Sequence, residues 1–295
     1  MTEKLEHCPV CESASFSSFL SCQDYTVTQE TFEIVTCENC DFKFTNPRPD
    51  EVTLPKYYQS EEYISHSNKN NSLIHLVYKQ ARNFTIRKKV KLINRIGKKG
   101  TVLDVGCGTG EFLSACKSDG WKIEGVEPSQ VAVNQLVTLL KQGVYNAIFD
   151  IVHENLADVI TMWHVLEHVP DLNKTIEKIN ALLKNDGTLI IAVPNYPSYD
   201  AAIYKELWAA YDVPRHLYHF DKNVMKNLLG KHSLEIKEIL PMKLDSYYVS
   251  LLSEKYKNGK NNYISAIVNG YKSNKWAKRN NGEYSSLIYI IKKNG

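Results

Sequence analysis

One segment of the chain, Thr101 to Leu113, constrains the possible fold more than any other. It runs from strand-like apolar residues through three closely spaced glycines into the start of a helix. Glycine permits a tight turn and lets the backbone approach a ligand closely, and the helix start offers unpaired amides to an anionic group. Asp104, just before the glycines, adds a carboxylate that can hold a cationic amino group. The segment predicts a nucleotide-type site at the carboxyl edge of a sheet.

A second predicted strand, residues 121–126, leads directly into Glu127. A carboxylate at this position suits a bidentate hydrogen bond to the hydroxyls of a ribose, as in dinucleotide-binding folds. The glycine pattern is not Gly-x-Gly-x-x-Gly, and no Gly-Lys-Ser/Thr follows it, which excludes a Walker loop. No basic residue follows to suggest a phosphate on the ribose.

Four of the seven cysteines form two Cys-x-x-Cys pairs, Cys8 with Cys11 and Cys37 with Cys40. Two such pairs can present four thiolates to one tetrahedral zinc ion. Such a site would be structural, because sulfur fills all four positions and leaves none for water or substrate. The spacer is longer than usual and contains strand-like residues 32–36, which predict a hairpin. Ordinary buried or reactive thiols are the alternative.

The composition is ordinary for a globular protein, with 43% hydrophobic residues, 23% charged residues and a formal net charge of +3. Lysine and arginine are spread along the chain, which gives little support to nucleic-acid binding. No apolar run is long enough to span a bilayer, and the polar first residues lack a signal-peptide core. We therefore expect a cytoplasmic protein, in which disulfides are uncommon.

Val102 to Leu113 resembles motif I of class I S-adenosylmethionine-dependent methyltransferases, and the likeness continues through residues 125–129, 158–169 and 189–195. The N-terminal part resembles a zinc-ribbon module found ahead of such domains. The resemblance implies an α/β fold: a Rossmann-like seven-stranded sheet with helices on both faces, a small zinc ribbon and an inserted lid. The expected boundaries are residues 1–50 for the ribbon, 51–98 for a helical connector and 99–295 for the methyltransferase domain, with the lid at about 196–222.

The same resemblance implies S-adenosyl-L-methionine as the cofactor. The resemblance places Asp104 near the amino group of the cofactor and Gly106, Gly108 and Gly110 along its methionine part. It places Glu127 at the ribose and Pro128 against the adenine, and it makes Cys107 and His164 further cofactor-binding candidates. A further adenine contact is expected after the third strand, where Asn146 and Asp150 are both candidates. Because the sulfonium already activates the methyl group, the protein has mainly to align the attack and manage the nucleophile's proton.

The residues after the predicted fourth strand, His164 to His168, match the His-x-x-Glu-His pattern of one class of zinc peptidases. Their place at a strand end, with no third protein ligand apparent, argues against a peptidase. The segment is also similar to the Glu-x-x-Glu-His segment of quinone O-methyltransferases, which implies a divalent metal near His164, Glu167 and His168. In the alternative, Glu167 and His168 brace the following helix and His164 contacts the cofactor.

Three histidines are candidates for the general base, since imidazole titrates near neutral pH: His168, and His216 and His219 in the aromatic-rich insertion after Asn195. This insertion is expected to lie over the methyl group, with Arg215 available to hold a carboxylate or phosphate. Three connector tyrosines are expected to reach the same cleft: Tyr57, Tyr58 and Tyr63. In the alternative, the aromatic residues form the core of a lid and the histidines satisfy buried backbone groups.

These features predict a methyltransferase that modifies oxygen, nitrogen or carbon of a small-molecule acceptor, which is a sugar, a quinone-like compound or a lipid-linked compound. Two alternatives are an RNA methyltransferase whose zinc ribbon grips nucleic acid and a cofactor-binding protein without catalysis. The Asn-Pro-Pro-aromatic tetrad of many DNA methylases is missing after the fourth strand. Nucleic acid is therefore the less favoured partner.

Overall fold

The computed structural model describes residues 2–59, 73–97 and 99–294. Its strands, in chain order, are β1 (Thr2–Glu3), β2 (Phe16–Gln23), β3 (Thr31–Cys37), β4 (Lys43–Thr45), β5 (Arg48–Pro49), β6 (Thr101–Val105), β7 (Lys122–Val126), β8 (Ala157–Trp163), β9 (Leu183–Pro194), β10 (Tyr218–His219), β11 (Leu234–Pro241) and β12 (Ser286–Lys293). Its α-helices are α1 (Leu73–Ile96), α2 (Glu111–Ser118), α3 (Gln130–Leu140), α4 (Leu172–Leu182), α5 (Tyr199–Tyr204), α6 (Lys222–Lys231), α7 (Asp245–Asn258) and α8 (Tyr263–Ala277).

The larger sheet has the order β11-β12-β9-β8-β6-β7. Strands β6 to β9 run parallel to one another, and β12 is antiparallel to both of its neighbours. Residues 102–105 of β6, 159–162 of β8 and 189–194 of β9 are buried without a break, as expected for parallel strands with both faces covered. Because parallel strands end at the same edge, the residues that follow β6, β7 and β8 lie side by side there.

Helices cover both faces of this sheet, as the α/β expectation requires. On one face Ile93, Leu113 and Leu136 of α1, α2 and α3 pack in a cluster with Val102. The adjacent residue, Leu103, belongs to a second cluster that contains apolar residues of α4 and α6. Alternate residues of a strand point to opposite faces, so the two clusters lie on opposite sides of the sheet.

The sheet has six strands in the described part of the chain rather than the expected seven. Beside β7, where a further strand would lie, a single parallel bridge joins Val126 to Tyr145. Tyr145 exchanges backbone hydrogen bonds with Gly125 and Glu127, and the chain then turns into a short 3₁₀ helix at Ile148–Asp150. The expected seventh strand is thus reduced to one residue, Tyr145, because the chain turns away from the sheet soon after it.

The smaller sheet has the order β10-β4-β3-β2 and joins the N-terminal residues to the predicted lid. Strand β10 belongs to the insertion, and its Tyr218 pairs with Phe44 of β4. The Thr45 hydroxyl donates to the backbone carbonyl of His216 at 2.9 Å. The insertion therefore completes the N-terminal sheet.

A helical hairpin, α7 and α8, lies between β11 and β12 and was not expected from the sequence. Helix α7 ends before Gly259, whose φ of 67° is the left-handed conformation that favours glycine, and the Asn262 side chain caps α8. No helix among the described residues is long and apolar enough to cross a membrane.

Candidate functional site

The glycine loop between β6 and α2 is the first wall of the site. Gly106, Gly108 and Gly110 all have positive φ, between 55° and 83°. Gly106 is exposed, and no described atom lies within 4 Å of the position where a Cβ on Gly108 would sit. The loop therefore leaves its backbone open to close approach by a ligand.

Glu127 faces this loop from the end of β7. One of its carboxylate oxygens accepts from the Gly108 backbone N–H at 2.7 Å, and the other accepts from the Ser129 N–H at 2.9 Å. The residue is buried, whereas the adjacent Pro128 is exposed. The carboxylate is thus held at the loop, and the Pro128 ring beside it is open to solvent.

Asp104 and Cys107 lie beneath the loop. Asp104 is buried and accepts a hydrogen bond from the Thr161 hydroxyl at 2.5 Å, and burial raises the pKa of its carboxyl to about 7. The Cys107 thiol points into the core, where a Cβ on Gly125 would come within 2.9 Å of its sulfur. Any contact of Cys107 with a cofactor is therefore made by its backbone.

The two candidates for an adenine contact are both exposed. The Asp150 carboxylate accepts from the Ala147 backbone N–H at 2.9 Å and so shapes its own turn. Asn146 follows Tyr145, the residue that bridges to β7. Both lie beyond Glu127 along the sheet edge, and neither is distinguished by the geometry.

His164, directly after β8, is held between two carboxylates. Its Nε2 lies 3.0 Å from Asp245 Oδ2, and its Nδ1 lies 3.3 Å from Glu167 Oε1. Burial disfavours the charged ring, but the hydrogen bonds with Asp245 and Glu167 outweigh it and raise the pKa of His164 to about 10. Both ring nitrogens of His164 thus face a carboxylate, and His164 is not part of the group of possible metal ligands that Glu167 and His168 form with a third residue.

The structure instead brings His216 to Glu167 and His168. One ligand atom from each of these three residues lies within 4.8 Å of the others. The imidazole rings of His168 and His216 stand edge to face with centroids 4.5 Å apart. Glu167 is fully buried, and its Oε2 has no hydrogen-bond partner among the described residues.

Backbone carbonyls define the tautomers of both histidines. Nδ1 of His168 lies 3.0 Å from the Arg215 carbonyl, and Nδ1 of His216 lies 2.8 Å from the Ala210 carbonyl. A carbonyl oxygen only accepts, so each Nδ1 carries the proton and each neutral ring keeps a lone pair on Nε2. Burial and the neighbouring His216 lower the pKa of His168 to about 4, which keeps its ring neutral at pH 7.

This cluster adjoins the glycine loop through Val165. A Cβ on Gly106 would come within 2.5 Å of a side-chain carbon of Val165, so the Val165 side chain packs closely on the backbone of the glycine loop. The segment from His164 to His168 therefore lies against the wall that the loop forms. The sheet edge and the histidines belong to one site.

Two other residues of the insertion do not reach this cluster. His219 is buried in β10, where its Nε2 lies 3.5 Å from the Thr45 hydroxyl, and burial lowers its pKa well below the usual value. Arg215 is 2% exposed and binds Asp24 and Asp212. The expectations that His219 is the base and that Arg215 holds an acceptor anion are therefore not supported, because both side chains are enclosed.

One connector tyrosine does reach the site. The Tyr58 hydroxyl lies 3.0 Å from His168 Nδ1. Tyr57 points elsewhere and donates to Glu30 at 2.7 Å, and Tyr63 lies outside the described residues. Asp245, which contacts His164, was not among the predicted site residues. It lies at the start of α7, a helix that the sequence did not predict.

The four paired cysteines converge at the other side of the N-terminal sheet. The sulfurs of Cys8 and Cys40 are 3.6 Å apart, those of Cys11 and Cys37 are 3.4 Å apart, and all four lie within 4.8 Å of one another. Sulfurs bound to one tetrahedral zinc at about 2.3 Å are roughly 3.8 Å apart, so this spacing fits such an ion. Cys22, Cys107 and Cys116 are buried elsewhere.

The glycine loop, the acid after β7 and the sheet order define a class I S-adenosylmethionine-dependent methyltransferase. A methyltransferase-domain model matches residues 78–239, more than half of the chain, and the chain belongs to that family. It is 31% identical over 186 residues to the ubiquinone biosynthesis O-methyltransferase of Vibrio vulnificus, which covers 60% of this chain and 78% of that protein.

Two further comparisons agree with this assignment. The namesake protein of Pseudomonas syringae is 32% identical over 162 residues, covering 50% of this chain and 68% of that one. The solved magnesium protoporphyrin IX methyltransferase of Synechocystis, with bound SAH, shares the fold at a TM-score of 0.53 and 14% identity, covering 82% of this chain and 99% of that chain.

Proposed function

We propose that this methyltransferase transfers the cofactor's methyl group to a hydroxyl oxygen of a small-molecule acceptor, with His168 as the general base. The observation that carries the proposal is the position of His168, whose Nδ1 is hydrogen-bonded to the Arg215 carbonyl and whose Nε2 keeps a lone pair. His168 belongs to the segment that packs on the glycine loop, and its ring contacts that of His216. The names of the two bacterial relatives, both O-methyltransferases, support oxygen as the methylated atom.

The residues at the sheet edge fit the expected cofactor. The open side of Gly108 and the carboxylate of Glu127 would hold the sugar, Asp104 would lie beneath the amino group, and Gly106 and Gly110 would shape the turn around the methionine part. When bound, S-adenosylmethionine supplies an activated sulfonium methyl group. Pro128 would lie against the adenine, with Asn146 or Asp150 at its edge.

The chain's own task is then orientation and proton transfer. A hydroxyl oxygen that gains a methyl group becomes strongly acidic, so a weak base with a low pKa is sufficient to take its proton. Nε2 of His168 is available for this because Nδ1 is committed to the Arg215 carbonyl. The unpartnered Oε2 of Glu167 would stabilise the imidazolium that forms.

Kinetics of single variants test this role. His168→Ala should reduce turnover by about a hundredfold, the usual contribution of a general base, and leave cofactor affinity within twofold of wild type. His219→Ala is the matched control, because that side chain is enclosed in β10. Turnover of His168→Ala that equals that of His219→Ala would remove His168 from the base role.

A divalent metal at Glu167, His168 and His216 is the second candidate role, favoured by the same unpartnered Glu167 oxygen. The two roles make different predictions. Under conditions in which the protein keeps its cysteine-bound zinc, acid–base catalysis survives dialysis against a chelator, whereas a metal-assisted reaction loses activity and regains it when magnesium is added.

We further propose that Cys8, Cys11, Cys37 and Cys40 hold a structural zinc ion, which fits a protein that works in the reducing cytoplasm. The ion would lock the turn before β2 to the turn after β3 and thereby brace the sheet that contains β10. The zinc module would thus support the active site at a distance through the strand that follows His216.

A further inference from the structure

A groove of about 1020 Å³ lies between α1, the end of β11 and the hairpin of α7 and α8. It shares two residues with the site described above: Trp163, which directly precedes His164, and Asp245, which binds the His164 ring. A molecule in the groove would therefore reach the wall behind the histidine cluster. The volume is within the range of small-molecule pockets.

The charge of this groove is strongly one-sided. Its lining includes eight basic residues, Lys88, Lys89, Lys91, Arg95, Lys243, Lys275, Lys278 and Arg279, whereas Asp245 is the one acidic residue among the described lining residues. The whole chain is nearly balanced, with 36 basic and 33 acidic residues. A concentration of one sign in a concave surface attracts an anion.

Most of these cations are not neutralised by the protein. In the described part of the chain, Arg95 forms an ion pair with Glu238. The amines of Lys88 and Lys89 lie 4.4 and 4.3 Å from the centres of the Phe84 and Trp163 rings. The six basic residues other than Arg95 and Lys89 have no carboxylate of the described residues within ion-pair distance. These six form an unpaired cationic rim, where unpaired means without a carboxylate partner: Lys88, Lys91, Lys243, Lys275, Lys278 and Arg279.

The floor of the groove is apolar, and it continues onto an exposed face of α8. Leu92, Leu240 and Ile288 line the floor. Tyr271 lines the groove and belongs to a helical stripe in which Ile264, Ile267, Val268 and Tyr271 are 79%, 61%, 43% and 58% exposed. Their spacing places all four on one side of the helix. An aliphatic chain leaving the groove would lie along this stripe.

We propose that the groove binds the acceptor and that this acceptor is an amphiphile with a phosphate group, a lipid-linked phosphate. The unpaired rim would hold the phosphate, the floor and the α8 stripe would hold the apolar chain, and the methylated end would point past Trp163 to His168. This inference rests on the proposed function and names the substrate class of the same site.

Binding of decyl phosphate, measured by calorimetry, tests the proposal. Wild type should bind decyl phosphate at least tenfold more tightly than inorganic phosphate, butyl phosphate or decyl maltoside, because those probes lack the long chain or the charge. Lys275→Glu with Lys278→Glu should weaken binding by about tenfold or more. Lys272→Glu, on the same helix but outside the groove, should change it less than twofold.

Three results would overturn the proposal. The first is equal binding of decyl phosphate by the double variant and wild type, and the second is tighter binding of uridine diphosphate than of decyl phosphate. The third is a wild-type dimer in sedimentation that the double substitution Ile264→Ser with Ile267→Ser dissociates, because the stripe would then be a dimer interface. Cofactor affinity is measured on the same preparations. If wild type does not bind S-adenosylmethionine, the proposed function is refuted. If wild type binds S-adenosylmethionine but not decyl phosphate, only this inference is refuted.

Discussion

The imidazole of His168, in the short 3₁₀ helix Leu166–His168 that follows β8, meets the imidazole of His216, in the insertion after β9, edge to face at 4.5 Å between ring centroids. The backbone reinforces this contact, because His168 Nδ1 donates to the carbonyl of Arg215, the residue before His216. The insertion thus contributes His216 to the histidine cluster, and its position depends on the N-terminal sheet that it completes.

Replacement of Glu127 should weaken cofactor binding. Glu127→Ala removes a buried carboxylate that is held at the glycine loop, and the loss of charged hydrogen bonds to the ribose should reduce affinity by about tenfold to a hundredfold. Calorimetric titration with S-adenosylmethionine measures the change. Glu124→Ala, on the same strand, serves as the control, and equal affinity in the two variants would exclude Glu127 from the ribose site.

Replacement of Cys37 should release zinc and also reduce activity. Cys37→Ser removes one of four converging sulfurs, so metal content measured by mass spectrometry should fall from about one ion per chain to none. Turnover should fall as well, because β3 and β4 support β10 and the residues before it. Cys22→Ser keeps all four sulfurs and should retain zinc. Wild-type metal content in Cys37→Ser would contradict the zinc site.

Replacement of Arg215 should destabilise the fold rather than weaken anion binding. Arg215→Met would leave the buried Asp24 and the half-buried Asp212 without their guanidinium partner, at a cost of about 3–5 kcal/mol in the free energy of unfolding. Urea unfolding measures this cost. Lys231→Met, which breaks an exposed ion pair, is the control and should behave as wild type. Wild-type stability of Arg215→Met would disprove its role as a buried anchor.

The pH dependence of kcat/KM should have an unusually low acidic limb. The pKa of His168 lies at about 4, below the 6.5 of an unperturbed imidazole, so the base stays unprotonated and activity should hold at pH 6 and fall towards pH 4. Because the folded pKa is below the unfolded one, stability contributed by the neutral ring should be lost as pH falls through the same window. His216→Asn removes one of the two causes that lower the pKa of His168, so the pH of the acidic limb should rise from about 4 in the direction of 6.5. An unchanged limb would contradict an electrostatic effect of His216 on His168.

Local spacing was sufficient to single out the glycines, Glu127 and the two Cys-x-x-Cys pairs, because each is a short motif or directly follows a predicted strand. The structure then brings together motifs that are far apart in the chain: Glu127 with Gly108, and one cysteine pair with the other. The α/β class followed from the same strand, turn and helix pattern, which the structure confirms.

The remaining features of the site depend on contacts between residues far apart in the chain, which the sequence did not predict. His216 and His219 lie three residues apart in an irregular insertion, and the pairing of β10 with β4 buries His219 while His216 remains at the cluster. The expected seventh strand is reduced to one bridge by the turn that follows Tyr145. The residue that contacts His164 Nε2, Asp245, lies in helix α7, which the sequence did not predict. None of these relationships leaves a periodic signal.

The most direct test of the central claim is transfer of label from methyl-labelled S-adenosylmethionine to small molecules of a cell extract, measured for wild type and His168→Ala at equal cofactor saturation. The account predicts a labelled small-molecule product with wild type and about a hundredfold less with His168→Ala. Label transferred at the same rate by both proteins would contradict it.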